Sequence, residues 1–242
     1  MARLGTLLAP ELAVDGSCWM LRTNVNGYAR ATGTNLITQA SCGRSFRIIG
    51  RHRQRLAVQL LDDGYRCWID VDVVQGRAEQ RLTWQPKLLS ADQIQQRLPS
   101  VLAWSERAQQ QTNIYLWGGT TEPDMDCSGL MQQAFASQGI WIPRDAYQQE
   151  RFCQPVAVSA GCFSLLQPGD LIFFGSARRC THVGLHLGNG RYRHSSGRDH
   201  GRNGIGIDSL HPSDNNPVAC HYRRQLRGAG RVIRCHDGST LS

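Results

Sequence analysis

Three residues scattered along the chain have types and settings suited to covalent catalysis: Cys127, His182 and His194. Cys127 lies in Asp126-Cys-Ser-Gly-Leu130, where an apolar-periodic run (Leu130, Met131, Ala134, Phe135) begins. That run reads as a helix closed by Gly139, with Asp126 or Ser128 available near its start. A thiol in the first turn of a helix faces unsatisfied N–H groups and the positive end of the dipole, and both favour thiolate. A nucleophilic thiolate needs a base, and the base needs a group to orient it. The segment Thr181-His-Val-Gly-Leu-His-Leu-Gly-Asn-Gly-Arg-Tyr-Arg-His-Ser-Ser196 supplies candidates for both, which points to a cysteine hydrolase.

The two histidines must share a face of the sheet to cooperate. His182 opens an alternating strand in which Gly184 and His186 point the same way and Val183, Leu185 and Leu187 the other. A two-residue loop would pair Leu187 with Tyr192 and turn His194 away from His182. A three-residue loop with Gly190 in the left-handed conformation pairs Leu187 with Arg191 instead. Gly184 then lies opposite His194, and His182 is its diagonal neighbour, roughly 7–8 Å away at Cα. The three-residue loop is therefore expected. In that arrangement Cys127 attacks a carbonyl, His182 moves the proton, and His194 holds the His182 ring in the productive tautomer. The backbone N–H of Cys127 is the natural oxyanion donor, with the Tyr115 hydroxyl as a second.

Other readings of these residues exist. Cys127 alone would suit a buried thiol, and Cys180, His182, His186 and His194 are close enough in sequence for a metal site. No second spaced ligand pair accompanies them, so no metal is expected, and a thiolate with an imidazole needs no cofactor. His186 reads as a solvent or rim residue. Asp199 and Asp208 compete with His194 as orienting groups, but their Gly-rich segments look like turns.

The elements that position these residues change character along the chain. From about Cys18 to Gln85, short alternating runs (Ser45-Phe-Arg-Ile-Ile-Gly50, Arg55-Leu-Ala-Val-Gln-Leu-Leu61, Cys67-Trp-Ile-Asp-Val71) are separated by turn signals at Asn26-Gly27, Gly33 and Asp62-Asp63-Gly64. They read as a small barrel. From Ser90 two helices follow, broken by Pro99. Pro168-Gly169 is a turn, and Leu171–Phe174 an apolar strand buried on both faces. The expected division is 12–85 for the barrel, 86–112 for linker and helices, and 113–235 for an α+β domain of helices packed on an antiparallel sheet.

The 242 residues are 40% hydrophobic and 19% charged, as in ordinary globular proteins. No run approaches bilayer-spanning length, so no membrane insertion is expected. The start falls short of a secretory leader. Nine cysteines without a CxxC pair suggest free thiols in a reducing compartment, hence the cytoplasm. Cys67, Cys153 and Cys162 read as buried small hydrophobes. The net charge of +8 comes from dispersed arginines without a nucleic-acid motif, so a solvated basic surface is expected and no nucleic-acid partner. The chain is expected to act as a monomer.

Together Tyr115-x-Trp-Gly-Gly, Asp126-Cys-Ser-Gly-Leu, Pro143-Arg-Asp-Ala, Pro168-Gly-Asp-Leu-Ile-Phe-Phe, His182-Val-Gly and His194-Ser-Ser resemble the NlpC/P60 family of papain-like cysteine peptidases, over about Ile114 to Arg234. The resemblance is closer to cyanobacterial members with an amino-terminal bacterial SH3 (SH3b) domain, through Gly139-Ile-Trp-Ile-Pro-Arg-Asp-Ala-Tyr-Gln-Gln-Glu150, Gly204-Ile-Gly-Ile-Asp208 and Gln225-Leu-Arg-Gly-Ala-Gly-Arg231. It implies a triad of Cys127, His182 and His194, with Tyr115 beside the nucleophile. It also implies a γ-D-glutamyl-L-diamino acid endopeptidase that cuts L-Ala-γ-D-Glu-diaminopimelate peptides bearing a free L-Ala, in cell-wall turnover or recycling. For such a substrate Asp126 would meet the ammonium group and Ser128 would add a hydrogen bond. Tyr65, in Asp62-Asp63-Gly64-Tyr65, would close the amino-terminal side of the cleft. Arg66-Cys67-Trp68 departs there from the usual Pro-Gly-Trp-like run. Arg144 would meet a substrate carboxylate or form a salt bridge with Asp145 or a neighbour. The alternatives are a related cysteine amidase or acyltransferase, and a catalytically silent peptidoglycan-binding module.

Overall fold

Residues 5–240 are described by the computed structural model, and they form two compact units. The first takes the described residues up to Lys87 together with Trp117–Thr121 and the tail from His236; the second takes Leu88–Leu116 and Glu122–Cys235. The division after Lys87 lies inside Arg81–Leu89, but Trp117–Thr121, which falls within the expected 113–235, and the tail from His236, which falls beyond it, both join the first unit. One of those segments is fixed by side-chain bonding, because the Gln39 carbonyl oxygen accepts from the N–H groups of Thr120 (3.0 Å) and Thr121 (3.2 Å).

Period-two patterning builds the first unit. Its elements are β1 (Cys18–Leu21), β2 (Val25–Tyr28), β3 (Leu36–Ala40), β4 (Ser45–His52), β5 (Arg55–Leu60), β6 (Arg66–Asp70), the one-turn helix α1 (Val71–Val74) and β7 (Ala78–Arg81). The strands form one antiparallel sheet in the order β3-β2-β6-β5-β4-β1-β7. Alternate residues Leu56, Val58 and Leu60 of β5 join Trp19, Phe46, Ile48 and Ile69 in the buried core. Asn26-Gly27 is not a turn: it lies within β2. A Cβ at Gly27 would stand 2.6 Å from Thr38 Cγ2 and 2.8 Å from Cys67 Sγ, so glycine is there for close strand packing.

In the second unit the chain runs α2 (Ala91–Gln110), α3 (Cys127–Ala136), α4 (Ala146–Phe152), β8 (Gln154–Val156), β9 (Leu171–Gly175), β10 (Cys180–Gly188), β11 (Arg191–Ser196), β12 (Gly204–Ser209), α5 (Pro217–Arg224) and β13 (Leu226–Arg231). Pro99 does not break the predicted helix pair apart: α2 is continuous across it. Proline removes one backbone hydrogen bond and costs about 3 kcal/mol in a helix interior. Against this, Ile94, Leu98, Val101 and Ala108 bury one face, and a Ser90–Gln93 capping box closes the start.

The six strands order as β12-β11-β10-β9-β13-β8, with antiparallel pairing throughout. Strand β9 shows why its run is apolar without alternation. Leu171 and Phe173 join the core shared with α2 and α3, while Ile172 and Phe174 join a second core with Tyr192, Val218 and Tyr222. The sheet is thus covered on both faces, and the fold is α+β with antiparallel sheets.

The β10–β11 hairpin reaches the expected register by another device. The tip is the two-residue Asn189-Gly190, both left-handed (φ 51° and 68°), which suits a type I′ turn. A bulge between His186 and Gly188 then absorbs Leu187, so Gly188 faces Arg191, His186 faces Tyr192 and Leu185 faces Arg193. One bulged residue restores the phase that a two-residue loop would have lost. A Cβ at Gly184 would lie 3.5 Å from His194 Cβ and 2.8 Å from Tyr192 Cδ2, as expected for opposed positions.

Candidate active site

Helix α3 begins at Cys127, and Asp126 is its cap: the carboxylate Oδ1 accepts from the Gly129 N–H at 2.7 Å. The same carboxylate is gripped by Arg144, whose Nη2 donates to Oδ2 at 2.7 Å and whose Nη1 donates to Oδ1 at 3.1 Å. Arg144 Nη1 also donates to Ser128 Oγ at 2.9 Å. With Arg144 only 1% exposed, the salt-bridge alternative is the arrangement found, and the partner is Asp126 and not Asp145. A guanidinium buried in this way is not presented to a substrate carboxylate. Ser128, likewise buried, sits within the Asp126–Arg144 cluster, donating to Asp126 Oδ1 at 3.3 Å.

Cys127 is 5% exposed, and its thiol is near backbone N–H groups of Val183 and Ser128. Burial pushes the thiol up to about 12, with Asp126 adding to the shift; the Val183 backbone, Arg144 and the Ser128 backbone oppose it. The helix start alone therefore does not make thiolate the resting form. His182 is held well below its ordinary value, first by burial and then by the neighbouring imidazoles of His194, His200 and His221. Both shifts favour the neutral forms, a thiol at Cys127 and an uncharged imidazole at His182.

His182 Nε2 lies 2.7 Å from His194 Nδ1, so the diagonal pair across β10 and β11 is in hydrogen-bond contact. The sequence reading of Asp208 as a turn residue is overturned. It occupies β12, is 3% exposed, and its Oδ2 lies 2.6 Å from His194 Nε2. It orients His194 and does not compete with it for His182. The burial of β12 alternates, with Gly204, Gly206 and Asp208 inward, and that period was the available signal behind the glycines. Burial alone would raise the Asp208 carboxyl, but the His194 hydrogen bond and Arg202 hold it below its ordinary value. Asp199 lies in a short 3-10 turn, as read.

Tyr222 of α5 is a site residue that the sequence did not single out. Its ring stacks on His182 (centroids 4.0 Å apart, planes at 18°) and meets His194 edge-on at 4.9 Å. Its hydroxyl pairs with Ser196 Oγ at 2.7 Å, which fixes the ring. Tyr115 lies in the irregular segment that follows α2, in electrostatic reach of Cys127, Asp126 and Tyr222. Burial raises its pKa, which keeps the phenol protonated and able to donate. Tyr65 belongs to the other unit, where its ring packs on the strand core and its N–H donates to Asp63 Oδ1 at 3.1 Å.

His186 is not a rim residue. It is 1% exposed, with Nδ1 2.9 Å from the Gln167 carbonyl and Nε2 accepting from the Gly190 N–H at 3.2 Å, so it braces the hairpin tip. The Cys180 thiol points to the His182 carbonyl at 3.3 Å. Among the described residues no group of three or more His, Cys, Asp or Glu is placed to hold a metal ion. Cys67 and Cys153 are buried, but Cys162 is exposed in the turn that its backbone closes with Ser159.

The NlpC/P60 family model matches residues 112–224, and the bacterial dipeptidyl-peptidase SH3 domain matches residues 27–73. The probable endopeptidase p60 of Listeria seeligeri is 34% identical over 118 residues, 49% of this chain and 19% of that protein. The bifunctional muramidase/DL-endopeptidase CwlT of Bacillus subtilis (strain 168) is 40% identical over 86 residues, 34% of this chain and 25% of that one. The murein DD-endopeptidase MepS/murein LD-carboxypeptidase of Escherichia coli (strain K12) is 32% identical over 120 residues, 49% of this chain and 55% of that one. The chain thus spans from about a fifth to about half the length of these curated relatives. With the cysteine, the helix that presents it and the paired histidines all inside the matched stretch, residues 112–224 form an NlpC/P60 family domain, preceded in the chain by a bacterial SH3 domain.

Proposed function

We propose that this chain is a cysteine endopeptidase that hydrolyses the γ-D-Glu–diaminopimelate bond of murein peptides with a free amino-terminal L-Ala. The observation that carries the catalytic part is the His182–His194 contact together with a buried cysteine at a helix start whose thiol meets the N–H of Val183, the residue after His182. Three relatives named as endopeptidases support the reaction class. The sequence resemblance supports the bond and the free amino end.

Cys127 Sγ attacks the γ-carbonyl of D-Glu while its proton passes to His182. The C–S bond forms as the carbonyl π pair moves onto oxygen, where the backbone N–H of Cys127 and the Tyr115 hydroxyl donate. Collapse expels the diamino acid amine, which takes the proton from His182 and leaves a thioester. Water, deprotonated by His182, attacks the thioester, releases the γ-carboxylate and returns the proton to Cys127. Because burial keeps the resting thiol protonated, the thiolate is formed only as it is consumed.

Asp126 is the proposed anchor of the substrate ammonium, with Ser128 beside it. Arg144 fixes that carboxylate and offsets its charge. The free thiols of all nine cysteines favour a reducing compartment, so the cytoplasm is the proposed location, with cell-wall fragments as substrates.

Mass-spectrometric product analysis of L-Ala-γ-D-Glu-meso-diaminopimelate and its N-acetylated form tests the specificity. Release of L-Ala-D-Glu from the free-amine peptide alone is expected. Equal cleavage of both would remove the role given to Asp126, and cleavage of neither by reduced protein would sink this substrate.

A further inference from the structure

We infer that Asp208 acts through His194 to set the tautomers of both imidazoles, and so decides that Nδ1 of His182 is the base. The tautomers follow from the hydrogen bonds of two neutral, buried rings; only their catalytic meaning rests on the function proposed above. An ionised carboxylate accepts and cannot donate. Asp208 Oδ2 stands 2.6 Å from His194 Nε2, so Nε2 of His194 carries the proton. In a neutral ring Nδ1 of His194 is then bare and must accept from His182 Nε2, 2.7 Å away. That places the His182 proton on Nε2 and leaves Nδ1 as its lone-pair nitrogen. Reversing the first bond reverses every one after it.

The strands are arranged to make this chain of contacts. His194 faces Gly206 across β11 and β12, and Asp208, two residues on, is its diagonal neighbour on the same face. His182 stands in the same diagonal relation on β10. Glycine therefore lies opposite His194 on both sides, at Gly184 and Gly206. At Gly206 a Cβ would overlap the Arg202 guanidinium where it now lies, so glycine leaves room for Arg202 to cross the strand. Its Nη2 reaches both Asp208 oxygens, at 2.8 and 2.9 Å. Arg202 holds the carboxylate charged and leaves it facing His194 as an acceptor.

Asp208→Asn keeps the shape and inverts the logic. Arg202 can only donate, so it draws the amide oxygen and turns the amide N–H toward His194 Nε2. His194 then carries its proton on Nδ1, His182 accepts at Nε2, and His182 Nδ1 becomes protonated and unable to act as base. A change confined to the wrong tautomer in a comparable triad costs about 10⁴-fold in rate, so a loss of about 10²–10⁴-fold in kcat/KM is expected. Adding Arg202→Ala frees the amide to rotate and should restore at least about tenfold, since one lost general base is worth 10²–10⁴-fold. A merely structural role for Asp208 gives no such rescue, because removing Arg202 only loosens the site further.

The deciding measurement is ¹⁵N NMR of histidine-labelled protein near pH 8, with His182 identified by its loss in His182→Gln. The expected spectrum shows a bare Nδ1 and a protonated Nε2 on His182, exchanged in Asp208→Asn and returned in the double variant. A protonated Nδ1 in the unsubstituted protein, or a bare one retained in Asp208→Asn, would overturn the inference. Should Asp208→Asn not fold, the unsubstituted spectrum decides alone. No substrate enters this experiment, so inactivity on murein peptides would count against the proposed function and leave the tautomer result standing.

Discussion

Mild acid should loosen this protein, and the two buried histidines of the candidate site set the size of the effect. His182 and His194 are fully enclosed and their pKa values lie below the ordinary one, chiefly through burial. In the unfolded chain both titrate near 6.5. Below that pH the unfolded state binds protons that the native state refuses, so stability is present above about pH 6.5 and lost as pH falls toward the folded values. A histidine that stays neutral from pH 7.5 to 5.5 costs about 1.4 kcal/mol, which is the limit for His182, and His194 adds in the same direction. His186, also buried and lowered, adds in the same direction. Asp208 is lowered too, but its share is lost only below about pH 4, so it does not blur this window. Urea unfolding at the two pH values measures the loss, and His182→Gln should reduce it by about 1.4 kcal/mol. An equal loss in variant and unsubstituted protein would refute the assignment of a neutral, enclosed His182.

Arg144→Leu strands the buried Asp126 charge and should cost about 3–5 kcal/mol in the same unfolding assay without substrate; an undiminished stability with a raised KM would instead make Arg144 a substrate contact. Gly184→Ala puts a methyl 2.8 Å from Tyr192 and against His194, so about 1–3 kcal/mol of stability should be lost, with activity falling as His194 moves. Full activity there would mean that the hairpin shifts without disturbing the histidine pair. Pro99→Ala restores the missing hydrogen bond in an exposed part of α2 and should add up to about 3 kcal/mol to the urea stability. Lower stability would show that packing has come to require the proline.

The residues proposed to do the chemistry were the most legible part of the sequence, because their types and neighbours are constrained by more than packing. Cys127 stood out by opening an amphipathic run, and the shared face of His182 and His194 followed from strand parity. The route to that parity did not follow: a bulge at Leu187 and a three-residue loop give the same register, and parity cannot separate them. Asp208 was misread because the glycines beside it suggested a turn, whereas Gly206 makes room for Arg202. His186 and Arg144 carry polar groups that would face water on composition alone; each is buried because the fold supplies partners distant in sequence, Gln167 and Asp126. Tyr222 comes to His182 from a helix 40 residues on, a contact that no local pattern encodes.

The most direct test of the mechanism is single-turnover release of L-Ala-D-Glu from L-Ala-γ-D-Glu-meso-diaminopimelate by the unsubstituted protein and by Cys127→Ala. The mechanism predicts release by the first and none above the uncatalysed background by the second, since the thioester forms on Cys127. Release by Cys127→Ala within about tenfold of the unsubstituted rate would contradict it, because losing the nucleophile must forfeit far more than the 1.4 kcal/mol that tenfold represents.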